Sequence, residues 1–133
     1  MKAVEQAAAF LKEAGTFFVA TAEGDQPRVR PFGALNLFED KLYLITNNQK
    51  DCYKQILADP KVEVCACIGP KWIRIAGKLI ADDRREARQA MLEANPGLTG
   101  MYSADDGRMV VLYFEDAKAV ISSFTEAPVT LEF

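Results

Sequence analysis

The chain has 133 residues, half of them hydrophobic and about a quarter charged, with a net charge of −3. That suffices for one domain with a real core and is too short for two, so residues 1–133 are read as a single domain. The acidic balance argues against a nucleic-acid surface, no apolar run approaches the length of a membrane span, and Met1-Lys2 does not open a signal peptide. The three cysteines, Cys52, Cys65 and Cys67, have no framework spacing and suit the reduced thiols of a cytoplasmic protein. Histidine is absent. That removes an imidazole base, Ser-His and Cys-His pairs, histidine-ligated zinc and a proximal histidine for haem.

Residues 2–14 predict an amphipathic helix, with Val4, Ala7, Ala8, Leu11 and Ala14 at helical spacing and Gly15 where a C-terminal cap belongs. Thr16-Ala22 is rich in β-branched and aromatic residues and predicts a strand. The turn Glu23-Pro27 joins it to a second strand running from Arg28 to Leu37. There Val29, Pro31, Gly33, Leu35 and Leu37 alternate with Arg28, Arg30, Phe32, Ala34 and Asn36. Pro31 and Gly33 interrupt that strand. They fit either an edge strand with a bulge or a strand whose unpaired backbone faces a bound ring.

Glu39-Asp40 turns the chain into a short apolar strand, Leu42-Ile45, followed by Thr46-Asn47-Asn48-Gln49-Lys50-Asp51 and a helix over 51–59. Tyr53, Ile56 and Leu57 are its expected buried stripe. An arginine-bearing strand beside a hydroxyl, two amides and a lysine at a helix N-terminus suits a phosphate or another anion. The helix end offers free N–H groups, Lys50 a point charge and Arg30 a fork of donors.

Val62-Ile68 alternates and points Cys65 and Cys67 to one face, where two sulfurs are too few for a metal site; buried, inert thiols are expected, and no metal. Gly69-Pro70 turns into the strand Lys71-Ala81. Asp83, with Glu86 three residues on, predicts a capped helix that ends at Asn95-Pro96-Gly97, and Arg84, Arg85 and Arg88 predict its solvated face. Leu98-Tyr102 fits one helical turn. Met109-Phe114 and Lys118-Phe124 predict two strands joined near Glu115-Asp116, and Pro128-Phe133 a last extended piece. Six or seven hairpin-connected strands with peripheral helices predict a mainly β (α+β) fold, a small antiparallel barrel.

Several stretches carry a resemblance along essentially the whole chain: Gly15-Thr21, Pro27-Gly33, Leu44-Lys54 and Lys71-Gly77. In this order and spacing the chain resembles the small, single-domain branch of the pyridoxamine 5'-phosphate oxidase-like family of FMN-binding split barrels. The resemblance implies a split β-barrel and a homodimer with flavin sites at the subunit interface. FMN would lie against the Arg28-Phe32 strand, with its phosphate on the Thr46-Lys50 loop. It implies Arg28, Arg30, Pro31, Phe32 and Ile45 near the flavin, Thr46, Asn47, Asn48 and Lys50 around the phosphate, and Trp72 approaching from the second subunit. True pyridoxamine phosphate oxidases carry a histidine near the reacting centre and extra basic and hydroxyl residues near the C-terminus, and haem-degrading relatives carry a histidine ligand. This chain lacks histidine. The expectation is therefore an FMN-dependent reductase of a small acceptor. The alternatives are a flavin storage or sensor protein and a relative that binds the deazaflavin F420. No catalytic residue is assigned; Tyr43, Tyr53 and Tyr102 are proton donors by type only.

Overall fold

The computed structural model describes every residue from Met1 to Phe133. Helix α1 (Ala3–Ala14) leads into strands β1 (Phe17–Glu23), β2 (Gln26–Phe32), β3 (Leu35–Phe38) and β4 (Lys41–Asn47). Helix α2 (Asp51–Ala58) connects to β5 (Lys61–Ile68) and β6 (Lys71–Asp82). Helix α3 (Arg85–Ala94), a 3₁₀ turn (Pro96–Gly100), β7 (Met109–Ser122) and β8 (Val129–Glu132) follow. No helix is long and apolar enough to cross a membrane.

Eight strands make one sheet in the order β2-β1-β5-β6-β7-β4-β3, with β8 added to β7. All pairings are antiparallel. The two ends of this order, β2 and β3, are separated in the chain only by Gly33 and Ala34. Three Cα steps span at most about 11 Å, so the sheet must roll until its edges nearly meet. The edges do not pair with each other. The fold is an antiparallel split β-barrel with peripheral helices.

The barrel interior is apolar. Val4, Ala7, Ala8 and Leu11 of α1 close one end over Phe17, Val19, Leu42, Leu44, Val64, Ile73 and Ile75. Each fully buried side chain of this size contributes about 1.5–3 kcal/mol. A second cluster lies under α3, where Met91 and Leu92 pack on Tyr43, Ile45, Met109 and Val111. Strand β4 is buried on both faces because the barrel core covers one and α3 the other.

Several sequence-based expectations are corrected. The single strand over 28–37 is two strands on opposite edges. Phe32 and Leu35, three positions apart, both pack on the barrel core, which continuous alternation forbids. Pro31 donates nothing to a ladder and sits on an edge, and the Gly33-Ala34 link resets the parity. The two strands expected over 109–124 are one strand with a bulge. Ala76 pairs Lys118 and Lys78 pairs Glu115, so Asp116 and Ala117 together face Gly77. A Cβ at Gly77 would lie 3.1 Å from Ala117 Cα, and Asp116 takes φ +53°. The total is eight strands, not six or seven.

Helix α3 begins at Arg85, and Arg84 at its N-cap supplies no side-chain cap. The stop comes from Asp82, whose Oδ1 accepts the Arg84 N–H at 3.1 Å. The arginines are committed rather than merely solvated. Arg84 binds Asp82 and Glu39, Arg85 binds Asp105, and Arg88 donates to the Ala104 and Asp83 carbonyls. Asp82 also accepts the Tyr43 hydroxyl at 2.7 Å. Helix α2 buries Cys52, Gln55 and Ile56, whereas Leu57 is 60% exposed, so its inner stripe is turned by one residue from the expected one. Cys67 is exposed and Cys65 half-buried, because no helix covers that face of the sheet; neither is the buried thiol expected.

Candidate functional site

The split between the barrel edges opens into a cleft of about 560 Å³, within the usual range of small-ligand sites. Arg30, Pro31, Phe32, Gly33 and Ala34 form one wall. Ile45, Lys50 and Cys52 form the end where β4 gives way to α2. The remaining wall is the segment from Ala94 to Leu98 together with Met101 and Tyr102. This wall comes from the end of β2 and the Gly33-Ala34 link, with no residue of β3 in it, so the break between the two strands shapes the cleft.

Arg30 is held from behind. Its Nη1 donates to the Val19 carbonyl at 3.2 Å and to Thr21 Oγ1 at 2.7 Å, and its Nη2 to Gln55 Oε1 at 2.7 Å. Gln55 Nε2 donates to Glu23 Oε2 at 3.3 Å, and Glu23 pairs with Arg28 at 2.9 Å. Glu23 titrates below the usual carboxylate range, chiefly through the Arg28 bond and then Gln55. These contacts use three of the five guanidinium donors, leaving Nε–H and one Nη2–H for a ligand. Thr21 and Gln55 are both buried, and a polar residue on the inner face of α2 is tolerable because this network satisfies it.

The Lys50 end is unpaired. Lys50 Nζ makes no ion pair within the chain. It caps α2 by position only, with no side-chain bond to the first helical N–H groups. Thr46 Oγ1 is buried and has no hydrogen-bond partner. Lys50 and an uncapped helix N-terminus adjoin at this end of the cleft, a pairing suited to an anion, whereas Thr46 shares its face of β4 with Leu42 and Leu44 and is not among the cleft-lining residues. Burial raises the Cys52 pKa, with Arg30 and Lys50 pulling the other way.

Of the residues proposed from sequence, Arg30, Pro31, Phe32, Ile45 and Lys50 line the cleft. Arg28 lies outside it, in its exposed pair with Glu23. Asn47 is buried, accepts the Gln49 N–H and donates to Tyr102, while Asn48 donates to the Gly107 carbonyl, so both amides brace the loop. Trp72 packs on Phe124 at 5.1 Å between ring centres, away from the cleft of its own chain. Sequence reading missed Thr21, Gln55 and the α3–3₁₀ wall. A glutamine on the i, i+3, i+4 stripe of α2 was the available signal for the first two.

Fold and site together define a split barrel with a cleft between its edges, lined by two cationic side chains, Arg30 and Lys50, and by no carboxylate. The chain belongs to the pyridoxamine 5'-phosphate oxidase-like family, since the sequence profile described as Pyridoxamine 5'-phosphate oxidase matches residues 3–115. A nimc/nima family protein from Clostridium acetobutylicum is 48% identical, with a TM-score of 0.96 over 98% of this chain and 92% of that one. General Stress Protein 26 from Bacillus anthracis shares the fold at 17% identity, with a TM-score of 0.73 over 98% of this chain and all of that one. So does a pyridoxamine 5'-phosphate oxidase-related, FMN binding protein from Nostoc punctiforme, at 15% identity and a TM-score of 0.59 over 98% and 94% of the two chains. No curated protein sequence matches this chain.

Proposed function

We propose that this protein is an FMN-dependent oxidoreductase that reduces a small acceptor, and that it acts as a cytoplasmic homodimer. The observation that carries the reading is the unpaired anion site at the α2 end of the cleft. Lys50 and the free N–H groups of α2 fit a phosphate monoester. Arg30, with its two remaining donors, and the backbone of Pro31 and Phe32 serve the ring system, with Ile45 beside them. Asn47 and Asn48 hold the loop in shape. FMN, when bound, supplies the redox chemistry, and the protein supplies orientation and charge. The FMN-binding relative in the family supports this cofactor.

The homodimer rests on the uncovered face of the sheet. Phe18 is 48% and Val29 67% exposed on the neighbouring strands β1 and β2, and Phe18 is paired with Pro31 at the cleft rim. Such a patch suits a second copy of the same chain, which buries it and adds a wall to each cleft. Trp72, with Phe124 beside it at 90% exposure, then serves the cleft of the other copy.

The test mixes FMN-loaded protein with NADH or NADPH without oxygen and then adds an acceptor. Loss of the flavin's visible absorbance, followed by repeated reoxidation, is expected. Flavin that stays oxidised with both donors contradicts the enzyme and leaves a storage or sensor protein.

A further inference from the structure

The cleft wall contributed by α3 and the 3₁₀ turn carries one polar donor. Asn95 Nδ2 is spent on the Leu35 carbonyl at 2.9 Å and the Met91 carbonyl at 3.2 Å. Pro96, Leu98 and Met101 are apolar, and no Asp or Glu lines the cleft anywhere. Tyr102 differs. Its Oη accepts a hydrogen bond from Asn47 Nδ2 at 2.8 Å. The orientation of that amide is fixed, because Asn47 Oδ1 accepts the Gln49 N–H at 3.0 Å. An amide nitrogen donates and cannot accept, so the bond occupies a lone pair of the phenol and leaves its O–H free to donate. The Arg108 guanidinium lies 5.6 Å from the ring centre, and the Tyr102 N–H is bonded to the Leu98 carbonyl at 2.9 Å, so ring and backbone are both held. The other tyrosines do not line the cleft, and the Tyr43 O–H is already engaged, donating its hydrogen bond to Asp82.

We infer that Tyr102 is a substrate-recognition residue whose O–H donates to an acceptor oxygen on a flat, uncharged molecule sharing the cleft with the flavin. The inference rests on the flavin reading above, which assigns both cleft cations, Arg30 and Lys50, to the cofactor. What remains for a second ligand is the apolar surface of Pro96, Leu98 and Met101, the Asn95 Oδ1 acceptor, no counter-charge for a cation, no free cation for an anion, and one oriented hydroxyl that donates. That combination fits a neutral planar body with a carbonyl-type oxygen.

The test uses wild type and Tyr102→Phe, each first titrated with FMN and then, FMN-loaded, with duroquinone and with p-xylene in a calorimeter. Duroquinone is planar, uncharged and carries two acceptor oxygens; p-xylene is planar and carries none. Tyr102→Phe also takes the acceptor from Asn47 Nδ2, so it is expected to lose about twofold or less in FMN affinity, to bind duroquinone about three- to tenfold more weakly, and to bind p-xylene unchanged. Equal duroquinone affinity in both proteins overturns the inference, as does wild type that fails to bind duroquinone. Equal losses for both probes reduce Tyr102 to a packing role and overturn it too. A loss of FMN affinity as large as the loss for duroquinone assigns the hydroxyl to the flavin or to bracing the Asn47 loop, and likewise overturns it. If wild type takes up no FMN, the flavin reading itself has failed, and this is seen before any probe is added.

Discussion

Lys50→Ala should weaken FMN binding and leave riboflavin binding almost untouched. The side chain has no carboxylate partner in the chain, so removing it breaks no ion pair of the fold. It is at once an exposed residue and part of the cleft lining, so its bond to a phosphate is partly solvated. Hydrogen bonds to charged groups are worth about 1.5–3 kcal/mol, and exposure places this one in the lower half, about 1.5–2 kcal/mol. That is about ten- to thirtyfold in dissociation constant for FMN. Riboflavin lacks the phosphate and should lose about twofold or less. The α2 N-terminus remains, so residual FMN binding is expected. Quenching of flavin fluorescence on titrating apo-protein gives both constants. Equal losses for the two ligands would place the phosphate elsewhere, and no loss for either would make Lys50 a surface residue.

Gln55→Leu should remove the acceptor shared by Arg30 and Thr21, costing about 1–3 kcal/mol of stability and weakening FMN and riboflavin alike, unlike Lys50→Ala. Urea unfolding with both flavin titrations checks this, and riboflavin affinity at the wild-type value would contradict it. Asp82 titrates down to about 2 through the Arg84 bond, with burial opposing and the Tyr43 bond assisting. The sign follows from a folded pKa depressed below the unfolded value of about 3.9. Its stabilisation is therefore full above about pH 4 and lost as pH falls towards 2. With the side chain 7% exposed, the shift corresponds to about 2 kcal/mol. Asp82→Asn should lose that amount at neutral pH and show a shallower acid loss in urea midpoints; parallel curves would refute it. Gly77→Ala should cost about 1–3 kcal/mol, because its Cβ would meet backbone at 3.1 Å, and an unchanged melting temperature would contradict the bulge geometry.

The barrel was legible because strands such as β1 and β5 alternate and their turns carry Gly, Pro and Asp, as at Glu23-Pro27 and Gly69-Pro70. The Lys50 end of the cleft was legible because it is local, a polar loop running into a helix. What sequence could not show depends on pairs distant in the chain. Gln55 looks like an outward residue until Arg30 and Thr21 arrive from β2 and β1 to satisfy it, which is why the face of α2 was misjudged. Residues 32–35 read as uninterrupted strand because nothing local reveals that β2 and β3 lie on opposite edges. Tyr102 becomes a site residue only through Asn47, 55 positions earlier.

The claim that this cleft holds FMN is tested most directly by the chromophore the protein carries when purified without added cofactor. Its visible spectrum is recorded, the protein is denatured, and the released molecule is identified by mass and counted against chains. The account predicts a flavin spectrum and release of FMN at about one per chain. A colourless protein that also fails to take up added FMN, or one that releases a deazaflavin or haem, would contradict it.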